Sequence, residues 1–148
     1  MVSWFLLFST TLISGVYFIY FWEILKGQAQ VFEAVLVKEF ALWLMLKGRV
    51  GCQLTWLFYF LGLSFEFLVF YLTYQLFGSN LFMQFFTLLV ICFEGCHYAI
   101  LSYNLKRFFD GRINLAQLFQ WQLERMAAML VFSYCLVASL ANLMIYLI

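Results

Sequence analysis

Two carboxylic acids lie where hydrocarbon is expected. Glu66 is the only charged residue between Cys52 and Phe77, and Glu94 the only one between Leu81 and Asn104. An ionised carboxylate in an apolar setting is costly, so each is expected to be neutralised, paired or beside water. The chain's single histidine, His97, follows Glu94 at i+3, and Tyr98 follows at i+4, which puts the three on one helix face. Thr87 falls on the same stripe. On the preceding run Thr55, Tyr59, Gly62, Glu66 and Thr73 recur at helical spacing. Two chemistries are open to such faces if they meet. One is an interhelical hydrogen-bonded clamp, typically worth ~0.6 kcal/mol and at most about 2. The other is a proton relay or ion site. The candidate residues for either are Glu66, Glu94, His97, Tyr59, Tyr98 and Thr87.

Glu94-x-x-His97 also has the spacing that builds carboxylate metal centres in helix bundles. One histidine and two such glutamates fall short of a dimetal ligand set within one chain, so neither a metal nor a cofactor is expected. No nucleophile–base–acid set and no phosphate-cradling glycine loop is present, and the chain is expected not to be an enzyme. The residual enzymatic reading is lipid chemistry at the membrane surface, with Glu94 and His97 as acid and base. Cys52, Cys92, Cys96 and Cys135 contain no Cys-x-x-Cys pair. All four read as small apolar packing residues, with Cys52 also placed for acylation beside Lys47 and Arg49.

The elements that must position these residues follow from composition. Of 148 residues, 67% are hydrophobic, 23% aromatic and only 10% charged, with a mean hydropathy of +0.98. A soluble domain carries about 25% charged residues, so a soluble enzyme, a secreted disulfide scaffold and a disordered tail are excluded. A net charge of +1 argues against nucleic acid as a partner. A spanning helix needs about 20 predominantly apolar residues. The reading is therefore all-α and polytopic, a single membrane domain over residues 1–148, with spans at about 2–24, 52–77, 81–104 and 122–147. Gly78-Ser79-Asn80 is a turn that makes the middle two spans an antiparallel hairpin. Counted from that turn, Glu66 and Glu94 differ in depth by only ~3 Å at ~1.5 Å per residue.

The basic residues order the spans. Lys26, Lys38, Lys47 and Arg49 lie in the first connection, and Lys106, Arg107, Arg112 and Arg125 in the region of the second. The positive-inside bias places both connections in the cytoplasm or a matrix equivalent, and both termini and the 78–80 turn on the opposite side. The segment at about 28–47 is apolar enough to suggest a fifth span, but Glu33, Lys38 and Glu39 would sit inside it at roughly 2.5–3.5 kcal/mol each. It is expected to lie along the interface as a helix, with a tilted or partly re-entrant path as the alternative. The N-terminal run lacks a basic n-region and reads as a retained span.

Asn114 and Gln117 have capping-box spacing, which predicts a helix from Leu115 to Tyr146 whose first turns carry Gln117, Gln120, Gln122, Glu124 and Arg125 into water or headgroups. Ser3, Thr10, Ser14 and Tyr17 stripe the first span, and Ala128, Val131, Cys135, Ala138, Ser139 and Asn142 the fourth. These small and polar faces predict close helix approach, within the chain or between subunits.

Two successive spans with a central glutamate and a basic, asparagine-containing segment after them resemble the smallest proton-path subunit of respiratory complex I and related cation antiporters. The resemblance rests on Leu61-Gly62-Leu63-Ser64-Phe65-Glu66, Cys92-Phe93-Glu94-Gly95 and Arg112-Ile113-Asn114-Leu115, about half the chain. It implies that Glu66 and Glu94 carry protons. The first functional expectation is a non-enzymatic subunit of a larger membrane complex. Its partners are the lipid bilayer and other membrane subunits or further copies of itself. The second is a small proton- or cation-coupled transporter or channel, or a proton-path subunit, using Glu66 and Glu94.

Overall fold

The computed structural model describes residues 2–147, with side chains from 3 to 144. Its elements are α1 (Val2–Leu25), α2 (Ala29–Leu76), α3 (Leu81–Phe109), a single 3₁₀ turn (Leu115–Gln117) and α4 (Trp121–Leu147). Each of the four α-helices is long and apolar enough to cross a membrane.

Local chemistry sets three of the helix ends. Gly27 takes a positive φ of 70° after α1, and the Gln28 N–H donates to the Glu23 carbonyl at 3.0 Å, closing a Schellman-type end. Asn80 caps α3 by accepting from the Met83 N–H at 3.1 Å. Lys106 and Arg107 occupy the last turn of α3, where the helix dipole favours cations.

The 48 residues of α2 would run ~72 Å if straight, far beyond a hydrocarbon core of about 30 Å. Gly48 breaks it, with φ 53° and ψ −130°, a combination open to glycine because it has no Cβ. The break separates an arm, residues 29–47, from a longer apolar stretch, residues 49–76.

The expected helix from Leu115 does not form. Asn114 and Gln117 do make the reciprocal capping box, but around a 3₁₀ turn. Asn104 of α3 donates to the Leu118 carbonyl at 3.2 Å, and Leu118 is buried. That anchor occupies a carbonyl that a continuing helix would have used, and α4 starts three residues later.

The helices alternate in direction. The start of α1 lies against the end of α4, where the Ser3 hydroxyl meets the Asn142 carboxamide, whose Nδ2 donates to the Ser3 carbonyl at 2.8 Å. Ser139 donates to Thr10 at 2.8 Å one level further in. The predicted stripes on α1 and α4 thus meet each other within the chain. Between this end and the middle of the bundle lies a dry core of Leu6, Ile13, Val69, Phe70, Val90, Val131, Tyr134 and Cys135. Of the cysteines only Cys135 is buried; Cys52 is partly covered, and Cys92 and Cys96 are exposed. The expectation that all four are buried fails for a geometric reason. The face of α3 carrying Glu94 turns inward, so the opposite face carries its thiols outward.

Candidate functional site

Glu66 is held by two phenols from two other helices. Tyr17 of α1 donates to its Oε1 at 2.8 Å, and Tyr98 of α3 donates to its Oε2 at 2.8 Å. Three helices therefore converge on one buried carboxyl. Both separations are ordinary for O–H···O hydrogen bonds.

Glu94 is fully buried, and its Oε2 lies 3.0 Å from Nδ1 of His97, one turn on. The other imidazole nitrogen, Nε2, lies 3.1 Å from Oε2 of Glu124 in the first turn of α4. The last pair is close but misaligned: His97 Nε2 makes no hydrogen bond, and neither does Glu94 Oε1. Glu94, His97 and Glu124 thus form a carboxyl–imidazole–carboxyl row across α3 and α4. The row adjoins Glu66 through the neighbouring rings of His97 and Tyr98, whose centroids are 5.4 Å apart.

Glu66 and Glu94 face one another less directly than their equal depth implied. Neither bonds the other; Glu66 is turned to tyrosines and Glu94 to histidine. Tyr59 donates to the Tyr98 carbonyl at 2.6 Å and packs edge-on to its ring, which braces the Tyr98 backbone. Thr87 stands apart. It donates to the Met83 carbonyl at 2.7 Å and pairs with the Tyr134 hydroxyl at 3.0 Å, nearer the termini end of the bundle. Gly62, expected on the Glu66 face, is exposed.

Five further residues belong to this region. Tyr17 was visible as part of the α1 stripe. Glu124 and Arg125 were expected in water or headgroups; they lie near the start of α4, which begins at Trp121, and meet residues of neighbouring helices. Arg125 makes a two-pronged bond to Glu33 of the arm, Nε to Oε1 at 2.6 Å and a guanidinium NH₂ to Oε2 at 2.7 Å. Tyr20 of α1 donates to the same Oε1 at 2.6 Å, with Phe32 stacked on its ring. Glu33 is buried. Its only sequence signal is its position one turn after Ala29, which is also buried.

The two clusters differ in charge balance. Glu33 and Arg125 neutralise each other. Glu94 and Glu124 flank a single imidazole and Glu66 lies nearby between two tyrosines, so these groups reach neutrality only by holding protons or another cation, and a buried net charge is expensive. Among the described residues, no three His, Cys, Asp or Glu side chains are grouped to hold a metal ion. The chain matches no protein-family model, no curated protein and no solved structure.

Proposed function

We infer that this chain is a multi-pass integral membrane protein that binds and passes protons through the Glu66, Glu94 and His97 cluster. One observation carries the reading. Glu94 and His97 are buried and hydrogen-bonded to each other, yet Glu94 Oε1 has no hydrogen-bond partner and His97 Nε2 has only the misaligned Glu124 carboxyl at 3.1 Å. A purely structural clamp gains its stability by satisfying its atoms, and a half-satisfied buried network is costly. Such a cost is retained where a group must exchange what it holds. The orientation that accompanies this reading puts the connections carrying Lys47, Arg49, Lys106 and Arg112 in the cytoplasm or its equivalent, and both termini across the membrane. The arm at residues 29–47 lies along that inner interface. Its exposed Val31, Val35, Met45 and Leu46 support this placement, because interfacial helices bury such residues in the acyl boundary.

The test is proton movement in vesicles. The purified chain in liposomes with an entrapped pH dye is expected to carry protons, alone or against a counter-cation, under an imposed potential. Glu94→Gln and Glu66→Gln are expected to abolish that flux. Undiminished flux in both variants refutes the reading.

A second reading is a non-enzymatic subunit of a larger membrane assembly. It is favoured by the outward aromatic side chains Trp4, Phe8, Phe58, Phe82 and Phe85, which suit helix partners as well as lipid. Extraction in mild detergent followed by native mass measurement separates the two. A chain that travels alone, with neither companion nor second copy, counts against the subunit reading.

A further inference from the structure

Among the described residues, the acid–histidine row grows more exposed toward the loop end of the bundle. Toward the termini it is sealed by Val69, Phe70, Val90, Val131 and Tyr134, each fully buried. Toward the loops the sequence of exposures is graded. The Glu94 side chain is 0% exposed, His97 7% and Glu124 19%. A cleft of about 420 Å³ formed by its sequence neighbours Gln120, Trp121, Gln122, Leu123 and Met126 lies at the same end of α4. Glu124 is the member of the row that touches both the imidazole and the outside.

We propose that Glu124 is the loading residue of the cluster, taking protons from the loop side and handing them to His97. This rests on the proton-handling reading of Glu66, Glu94 and His97 and assigns that site its access route. The transfer needs only O–H and N–H bonds. The Glu124 carboxyl loses its proton to Nε2 of His97, and Nδ1 gives its proton to the Glu94 carboxylate. Glu124 is then an anion that regains a proton from water, and the first tautomer returns when Nδ1 takes a proton back from the Glu94 carboxyl and Nε2 releases its own to the loop side. The 3.1 Å separation of Nε2 and Oε2 without alignment means a small side-chain rotation completes the path. The charged and titratable groups around Glu124 are His97 and Glu94 from α3, Glu33 from the arm, Tyr20 from α1 and its own neighbour Arg125. Because Arg125 is committed to Glu33, it stays off Glu124 and leaves that carboxyl to the imidazole.

His97 is the only histidine, so histidine-specific ¹⁵N labelling reports this ring alone. The full chain is placed in proton-tight vesicles of phosphatidylcholine and phosphatidylglycerol, with orientation read from tryptic cleavage at Arg112. With different pH on the two sides, the ring signals are expected to follow the compartment facing residues 110–120. Glu124→Gln is expected to slow hydrogen–deuterium exchange at the ring about a hundredfold, the low end for removing a positioned proton-transfer group, and Glu124→Asp to restore part of it. Ring signals that follow the termini side, or exchange unaltered in Glu124→Gln, overturn the loading role while leaving the proton-holding reading intact. Signals indifferent to pH on both sides overturn both. Should Glu124→Gln fail to fold, the sidedness measurement on the unaltered chain still decides.

Discussion

Arg125 and Glu33, 92 residues apart in sequence, meet as a two-pronged ion pair with contacts of 2.6 and 2.7 Å. This pair fastens the arm of α2 to the base of α4, and Tyr20 ties α1 into the same knot. It also fixes the start of α4, and hence Glu124, the residue just before Arg125.

Removing either partner strands the other's charge. Glu33→Gln or Arg125→Gln is expected to cost about 2–3 kcal/mol, below the 3–5 typical of fully buried pairs because Arg125 keeps some access to water. The double variant is expected to cost less than the two singles together, with a coupling of about 1–3 kcal/mol. Unfolding midpoints in mixed detergent micelles for the four members of the cycle provide the measurement; additive losses would show that the pair is not coupled.

Tyr17→Phe and Tyr98→Phe each remove one phenol from Glu66 without creating a large void. Each is expected to destabilise the bundle by about 1–2 kcal/mol, since a donor to a buried carboxyl is lost. Tyr98→Phe should also disturb the His97 ring signals, because the two rings are neighbours, whereas Tyr17→Phe should leave them in place. Stability and histidine spectra recorded on both variants check the contrast.

Asn142 bonds both the side chain and the backbone of Ser3. Asn142→Leu is expected to loosen the α1–α4 contact by about 1–2 kcal/mol, toward the upper end for a polar contact between spanning helices. Thr10→Val, which removes the partner of Ser139 and the hydroxyl's own bond to the Leu6 carbonyl within α1, should cost about 0.6 kcal/mol. Equal effects would contradict the two-bond role of Asn142.

Gly48→Ala places a Cβ on a backbone with φ +53° in otherwise open space. The cost is conformational, roughly 1–2 kcal/mol, and it is relieved if the two parts of α2 straighten. Spin labels at Leu36 and Leu57 are expected to move apart in the variant. An unchanged distance would mean that the arm's other contacts, Glu33–Arg125 and Phe40–Phe119, hold the bend alone.

What the linear chain determined was everything set by local periodicity and solvent preference. Apolar runs of sufficient length give four spanning-length helices, Gly78-Ser79-Asn80 gives the hairpin, and the stripes on α1 and α4 mark faces for close helix approach, though not that they pair with each other. The Glu94–His97 contact was legible too, because residues three apart share a helix face whatever the fold. The Tyr17–Glu66–Tyr98 convergence, the Glu124–His97 approach and the Glu33–Arg125 pair were not. Each joins residues on different helices, and helix rotation and end position decide which side chains meet. Glu124 illustrates the point: a start at Leu115 sends it into water or headgroups, whereas the Leu118 anchor and a start at Trp121 turn it toward the imidazole. The break at Gly48 was likewise a tertiary decision, since glycine permits a positive φ but only packing at both ends of the arm requires it.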